Sequence, residues 1–354
     1  MPGTLRRVCF AALLLGAACG KSSTAVQSTT PSASPAVTPQ PASDSSSLHF
    51  TVSPMDVASI IYITPLGAMA PSGHTLPTDH GYFYHSMGPG PIAPVSVYAP
   101  AGGVVTTNSN GRIDVRVNSV YSYWLGPLVF ASGITTGVTV EAGTLLGSHA
   151  TAPAFDFSVM RTTQSLNLIN PLRYSPETLQ ADGFIQYFDE PVRSAIVAKV
   201  LRTGSQLDGR IDYDVAGTLA GNWFAEDLPV QDSGKGGDLF VGTRKLAFAR
   251  DVFSPDHQRV SIGGLGMTGL YATPDGDTDF ASVTAGSGLV VYRMLHVGEP
   301  QSPTSDLQIG WLLVQVQDAQ HLRVEAVPLP STVPMADAGA APTAFSANAA
   351  TYLR

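Results

Sequence analysis

Histidines crowd the first half of the chain, at His74, His80, His85 and His149. The first three lie in one stretch, Gly73-His74-Thr75-Leu76-Pro77-Thr78-Asp79-His80-Gly81-Tyr82-Phe83-Tyr84-His85. Imidazoles beside a carboxylate, in a polar loop that runs into an aromatic strand, are the composition a zinc or similar metal site needs, because both groups are zinc donors. The same residues admit a second reading, in which Asp79 caps a turn after Pro77 while His85 and the tyrosines face solvent or core. Other chemical spacings fail on their own terms. Gly264-Leu265-Gly266-Met267-Thr268-Gly269 has dinucleotide spacing, but Pro274 follows where a phosphate-binding helix should run. Asp275-Gly276-Asp277-Thr278-Asp279 opens like a calcium loop, yet the sixth position is Phe280 and the twelfth Gly286, where that loop needs Gly and Glu. Asp232-Ser233-Gly234-Lys235-Gly236-Gly237 lacks the Ser or Thr that should follow a phosphate-loop lysine.

The elements that must position these residues are β-strands. Gly (35) and Pro (27) are abundant among 354 residues, 44% are hydrophobic and only 13% charged, so the chain has material for a core and for many turns. A net charge of −8 argues against nucleic-acid binding, which needs clustered Lys and Arg. Period-two patterns predict strands at 59–64, 95–98, 112–117 and 154–159, with Asn110-Gly111 a hairpin turn before the third. Pro191 after Asp189-Glu190, then Val192, Ile196, Val197 and Val200, predicts a helix over 191–202. Strands are again expected at 238–241, 245–249, 289–292, 310–316 and 322–327. The expected architecture is mostly β: an N-terminal β domain (48–165), a linker with the short helix (166–206), and a C-terminal antiparallel β sandwich or barrel (207–354). Gly221-Asn222-Trp223-Phe224 resembles the Gly-x-Trp of a lipocalin first strand, which would imply a small ligand inside a C-terminal barrel.

The order of motifs in the N-terminal half carries a stronger likeness. Ala99-Pro100-Ala101-Gly102-Gly103-Val104 is followed by the hairpin strand at 112–117, then Val140-Glu141-Ala142-Gly143-Thr144-Leu145-Leu146-Gly147, then Ala154-Phe155-Asp156-Phe157. Over about 60–160 this succession resembles the lysostaphin/LytM-type peptidoglycan endopeptidases, implying a barrel-sandwich-hybrid-like β fold. It also implies a metal site, with His80 near the place of that family's ligand Asp, His74 a little upstream, and Asp156 at the second His of its His-x-His strand. Zinc is the ion such a set would hold, through His74, His80 and Asp156. The departures matter: Ala154 stands where the first His of that strand would activate water, and the loop histidine is missing near Tyr123-Trp124-Leu125-Gly126-Pro127-Leu128. That removes a proton-handling group worth about 10²–10⁴ in rate. His149 is the candidate substitute. The expected function is therefore binding or scaffolding at the cell envelope, with a structural metal as an option, on peptidoglycan, another glycan or peptide, with Tyr82, Phe83, Tyr84 and Trp124 lining a groove. The alternatives are a divergent zinc metallopeptidase acting on peptidoglycan peptides, and small-ligand binding by the C-terminal domain.

Residues 1–18 read as a signal peptide, with Arg6-Arg7, an apolar run at 10–15, and Gly16-Ala17-Ala18 before Cys19. This resembles a bacterial lipoprotein leader, which implies a lipid on Cys19 and export to the periplasm, outer membrane or cell surface. Residues 19–47 are Ser, Thr, Pro and Ala with little apolar bulk, a composition expected to remain an extended tether.

Overall fold

Alternation along the strands decides which side chains are buried. In a computed structural model that describes residues 47–88, 90–231, 239–297 and 305–354, the segment Ala154–Arg161 is a strand that sends Phe155, Phe157 and Val159 into the core at 0% exposure. The signal peptide, Cys19, nearly all of the tether and the glycine loop at 232–237 lie outside the described residues.

The first half contains β1 (Tyr62–Thr64), β2 (Gly81–Tyr84), β3 (Val95–Tyr98), β4 (Gly103–Ser109), β5 (Arg112–Arg116), β6 (Tyr121–Gly126), β7 (Val129–Phe130), β8 (Thr139–Val140), β9 (Leu145–His149) and β10 (Ala154–Arg161). A short helix, α1 (Pro176–Leu179), and β11 (Ala181–Asp182) follow. The larger sheet runs β1-β2-β10-β6-β5-β4-β8, with β11 also pairing β10, and a smaller sheet runs β3-β9-β7. Val97 and Leu146 of the smaller sheet share one core with Phe83, Ile113, Leu125 and Phe155 of the larger. The turn at Asn110-Gly111 is built as the sequence requires, both residues having positive φ.

Residues 184–196 join this core through Phe184, Ile185, Phe188 and Ile196. The helix expected over 191–202 forms only as α2 (Val192–Val197), one face of which is pinned by Ile196 at 0% exposure.

The second half is a closed antiparallel barrel: β12 (Gly221–Ala225), β13 (Lys245–Arg250), β14 (Gln258–Ile262), β15 (Gly269–Ala272), β16 (Val290–His296), β17 (Leu307–Val316), β18 (His321–Pro334) and β19 (Ala350–Leu353), each paired with the next and β19 returning to β12. Closure satisfies every strand edge. The strand expected at 238–241 is instead a helical turn, α3 (Leu239–Gly242), before β13. The glycine run at 264–269 connects β14 to β15, and Asp279 of the acidic turn caps the 3-10 turn that follows. Trp223, Phe248, Phe280, Tyr292 and Leu312 fill the barrel at 2% exposure or less, so its middle is packed with side chains rather than open to a ligand. No helix among the described residues is long and apolar enough to cross a membrane.

Candidate functional site

The outer face of the larger sheet collects the polar residues that alternation keeps from the core. Register places Thr64, Tyr82, Asp156 and Gly126 in one row, with Trp124 and Ser158 in the next row but one. This face is covered too. The Ser158 hydroxyl donates to the Asp79 carbonyl at 2.8 Å, and α1, capped at its start by Ser175 with Pro176 in its first turn, lies over it.

A buried chain of hydrogen bonds crosses this cover. The Thr178 hydroxyl donates to Asp79 Oδ2, Asp79 Oδ1 accepts from His80 Nδ1 at 3.0 Å, and His80 Nε2 meets the Tyr82 hydroxyl at 3.0 Å. Burial opposes charge on both Asp79 and His80. Their mutual bond outweighs it, holding the Asp79 carboxyl below the usual carboxylate range and raising His80. The His74 ring is 5.4 Å from that of His80, and burial together with the neighbouring imidazole pushes His74 down to about 4. Burial, then Asp156, raises the Tyr82 hydroxyl far above its ordinary value, so Tyr82 stays a neutral hydroxyl and not a phenolate. Burial also raises Asp156, partly offset by His80 and His149.

Of the three expected ligands, the His74 ring lies 5.4 Å from that of His80, and Asp156 is near enough to His80 for each to shift the other. A zinc ion asks for donors converging at about 2.0–2.2 Å with free lone pairs. Both ring nitrogens of His80 are engaged within the protein, and among the described residues no three His, Cys, Asp or Glu side chains are grouped to hold a metal. The donor set does not fit zinc.

The other expected residues divide. Tyr82 and Tyr84 are half-buried and line a cleft, with Tyr84 stacked on Tyr62 at 4.2 Å between centroids. Phe83 does not line a groove: one residue along a strand reverses the face, and it lies in the core, stacked on Phe155. Trp124 is buried at 6% exposure, roofed by the Arg112 guanidinium 4.2 Å above its ring and flanked by His80, so it is not a groove wall either. His149 is a structural residue at 1% exposure, with Nδ1 2.6 Å from the Pro127 carbonyl and Nε2 2.9 Å from that of Ala152, which leaves no nitrogen for a water molecule. Arg112, Glu177 and Thr178 were not singled out from sequence. Arg112 bonds both Asp114 and Glu177 and so fastens α1 to the sheet. The Ser-Pro-Glu-Thr start of α1 is a visible capping signal, but nothing local tells that Thr178 reaches Asp79 and Glu177 reaches Arg112 of β5.

No family model matches the chain, and no curated protein matches it in sequence. Among solved structures it is similar to a zinc-containing peptidase from Vibrio cholerae, at 19% identity over 32% of this chain and 37% of that one, with a TM-score of 0.26. It is also similar to the M23 metalloprotease pseudoalterin, of deep-sea origin, at 21% identity over 40% of this chain and 88% of that one, TM-score 0.26. A third is the catalytic domain of lysostaphin from Staphylococcus simulans, at 19% identity over 34% of this chain and 84% of that one, TM-score 0.22. The match spans little more than a third of the Vibrio cholerae peptidase. Likeness at this level decides nothing about activity, which has to be argued from the side chains.

Proposed function

We propose that this chain is an exported, lipid-anchored cell-envelope protein whose LytM-like β domain binds or scaffolds peptidoglycan or another glycan without hydrolysing it. The observation that carries the reading is the closed chain Thr178–Asp79–His80–Tyr82. Peptide hydrolysis on such a sheet would need a free imidazole, or an ion held by one, to activate water. Here His80 is committed on both sides, Ala154 and Asp156 replace the histidines of the His-x-His strand, and His149 is bound to two carbonyls. Lipidation at Cys19 and the Ser/Thr/Pro tether would hold the β domains off the membrane, within reach of the wall.

The test is muropeptide release from purified cell-wall sacculi, with and without added zinc, alongside sedimentation of the protein with the sacculi. Co-sedimentation with no soluble fragments above a heat-inactivated control is expected. Fragment release that His80→Ala abolishes would overturn the reading in favour of a zinc hydrolase.

A further inference from the structure

A cleft of about 610 Å³ opens between the larger sheet and the barrel, within the range of small-molecule sites. One wall is the aromatic row Tyr62, Tyr82 and Tyr84 from β1 and β2; the other includes Phe253 and Leu270 from the barrel side. Among the described residues of its lining the fixed charges are Asp251 and Arg259, and they answer each other at 2.7 Å. Asp251 Oδ1 also accepts the backbone N–H groups of Phe253 and Ser254, and Arg259 donates as well to the Gln258 carbonyl, so neither ion is spare for a ligand. His74, also in the lining, carries no charge near neutral pH.

The geometry points to this cleft as a binding site for an uncharged saccharide, whose ring lies against the Tyr84 side of the aromatic row while its hydroxyls meet the tyrosine and imidazole groups. A sugar ring has an apolar C–H face and a rim of neutral donors and acceptors. It therefore suits a wall of aromatic rings set among polar groups that have no net charge to offer. A peptide rich in carboxylates would lose its hydration here and find no counter-ion, a cost the site has no means to offset. The proposal rests on the envelope-binding reading above and narrows it, assigning recognition to glycan rather than to charged stem peptide.

Titration calorimetry of the purified protein with tetra-N-acetylchitotetraose, and separately with an Asp/Glu tetrapeptide, tests it. The saccharide should bind and the peptide should not. Tyr84→Ala should weaken the saccharide about tenfold while Tyr84→Phe retains it, because the ring and not the hydroxyl supplies the stacking face. Ala70→Trp, at an exposed position on the cleft lining, should block binding by filling the cleft, and it keeps the test sound if Tyr84→Ala fails to fold. No saccharide binding by the unaltered protein at ~10 mM ligand, weaker than any useful affinity on the usual scale, would overturn the site. Preference for the acidic peptide, or saccharide binding that survives Ala70→Trp, would do the same. Fragment release from sacculi by the same preparation, with saccharide binding intact, would instead remove only the non-hydrolytic reading.

Discussion

His74 and His80 stand with their rings 5.4 Å apart in a pocket that stabilises one positive charge, and Asp79 decides which ring takes it. The proton goes to His80, and burial, then that charge, keeps His74 neutral down to about 4. The pair titrates as a unit, with opposite consequences for stability. A folded-state value below the ordinary 6.5 means that the unfolded chain binds more protons between 6.5 and about 4, so the His74 contribution is intact above 6.5 and is lost as the pH falls through that window. For His80 the folded value is raised, so its contribution is present below the unfolded value and fades as the pH climbs through the raised one. His74→Gln should therefore reduce the loss of stability between pH 7 and pH 4.5, by on the order of 1–2 kcal/mol after allowance for its partial exposure. His80→Gln should leave Asp79 buried without its cationic partner and destabilise the protein most in mildly acidic solution. Urea midpoints at the two pH values check both. The run from His74 to His85 marks a dense group of imidazoles around Asp79, but spacing alone does not say which rings meet. It could not reveal that Thr178 closes the chain from 99 residues away, which turns an apparent ligand into a fixed structural group.

At the scale of elements, β2 shows how one strand serves two surfaces. Phe83 packs into the core while Tyr82 and Tyr84 look out, and the strand starts at Gly81, where a Cβ would run into the Thr64 carbonyl and the Phe184 ring. Gly81→Ala should force β1 and the 184–188 segment away from β2, costing about 1–3 kcal/mol and loosening the cleft wall; thermal melts with and without saccharide would show it. Period-two alternation made most strands legible, and with it the mostly β class. It did not show that Phe83 and Tyr82 point to different surfaces of functional weight, although the same alternation contains that information. The strand expected at 238–241 gives way to α3 because a short apolar run fits a strand and a helical turn equally well until its neighbours are placed. α2 is shorter than its periodicity suggested, since only Ile196 of its apolar stripe reaches full burial.

For the molecule as a whole, the two halves share an apolar seam. Met69 and Leu76 from the first half pack with Phe224, Ala247 and Ala249, the outward residues of the barrel, and Leu168 and Tyr174 complete the cluster. A seam of this kind should make both halves unfold in one calorimetric transition. The barrel itself depends on Arg354, 3% exposed, whose guanidinium lies 4.0 Å over the Trp223 ring and donates to the carbonyls of Val215, Leu219 and Ala220. Burial lowers it to about 10, still charged at neutral pH, with Asp214 as its nearby counter-charge. Arg354→Ala should cost about 3 kcal/mol through unpaired carbonyls and the lost ring contact, and Arg354→Lys should recover little, because a point charge cannot copy the flat fork; denaturant titration distinguishes the two. Whether the C-terminal half closes or stays an open sandwich was beyond the sequence, since closure turns on β12 meeting β19 across nearly the whole domain.

That last pairing also fixes the order of assembly. The strand carrying Trp223 is translated well before the arginine that caps it, so a nascent chain emerging from a ribosome exposes an unpaired β12 edge until β19 is free to reach back. The interval before β19 emerges is when this protein is most open to sticking to its neighbours, and when a holding chaperone has most to shield.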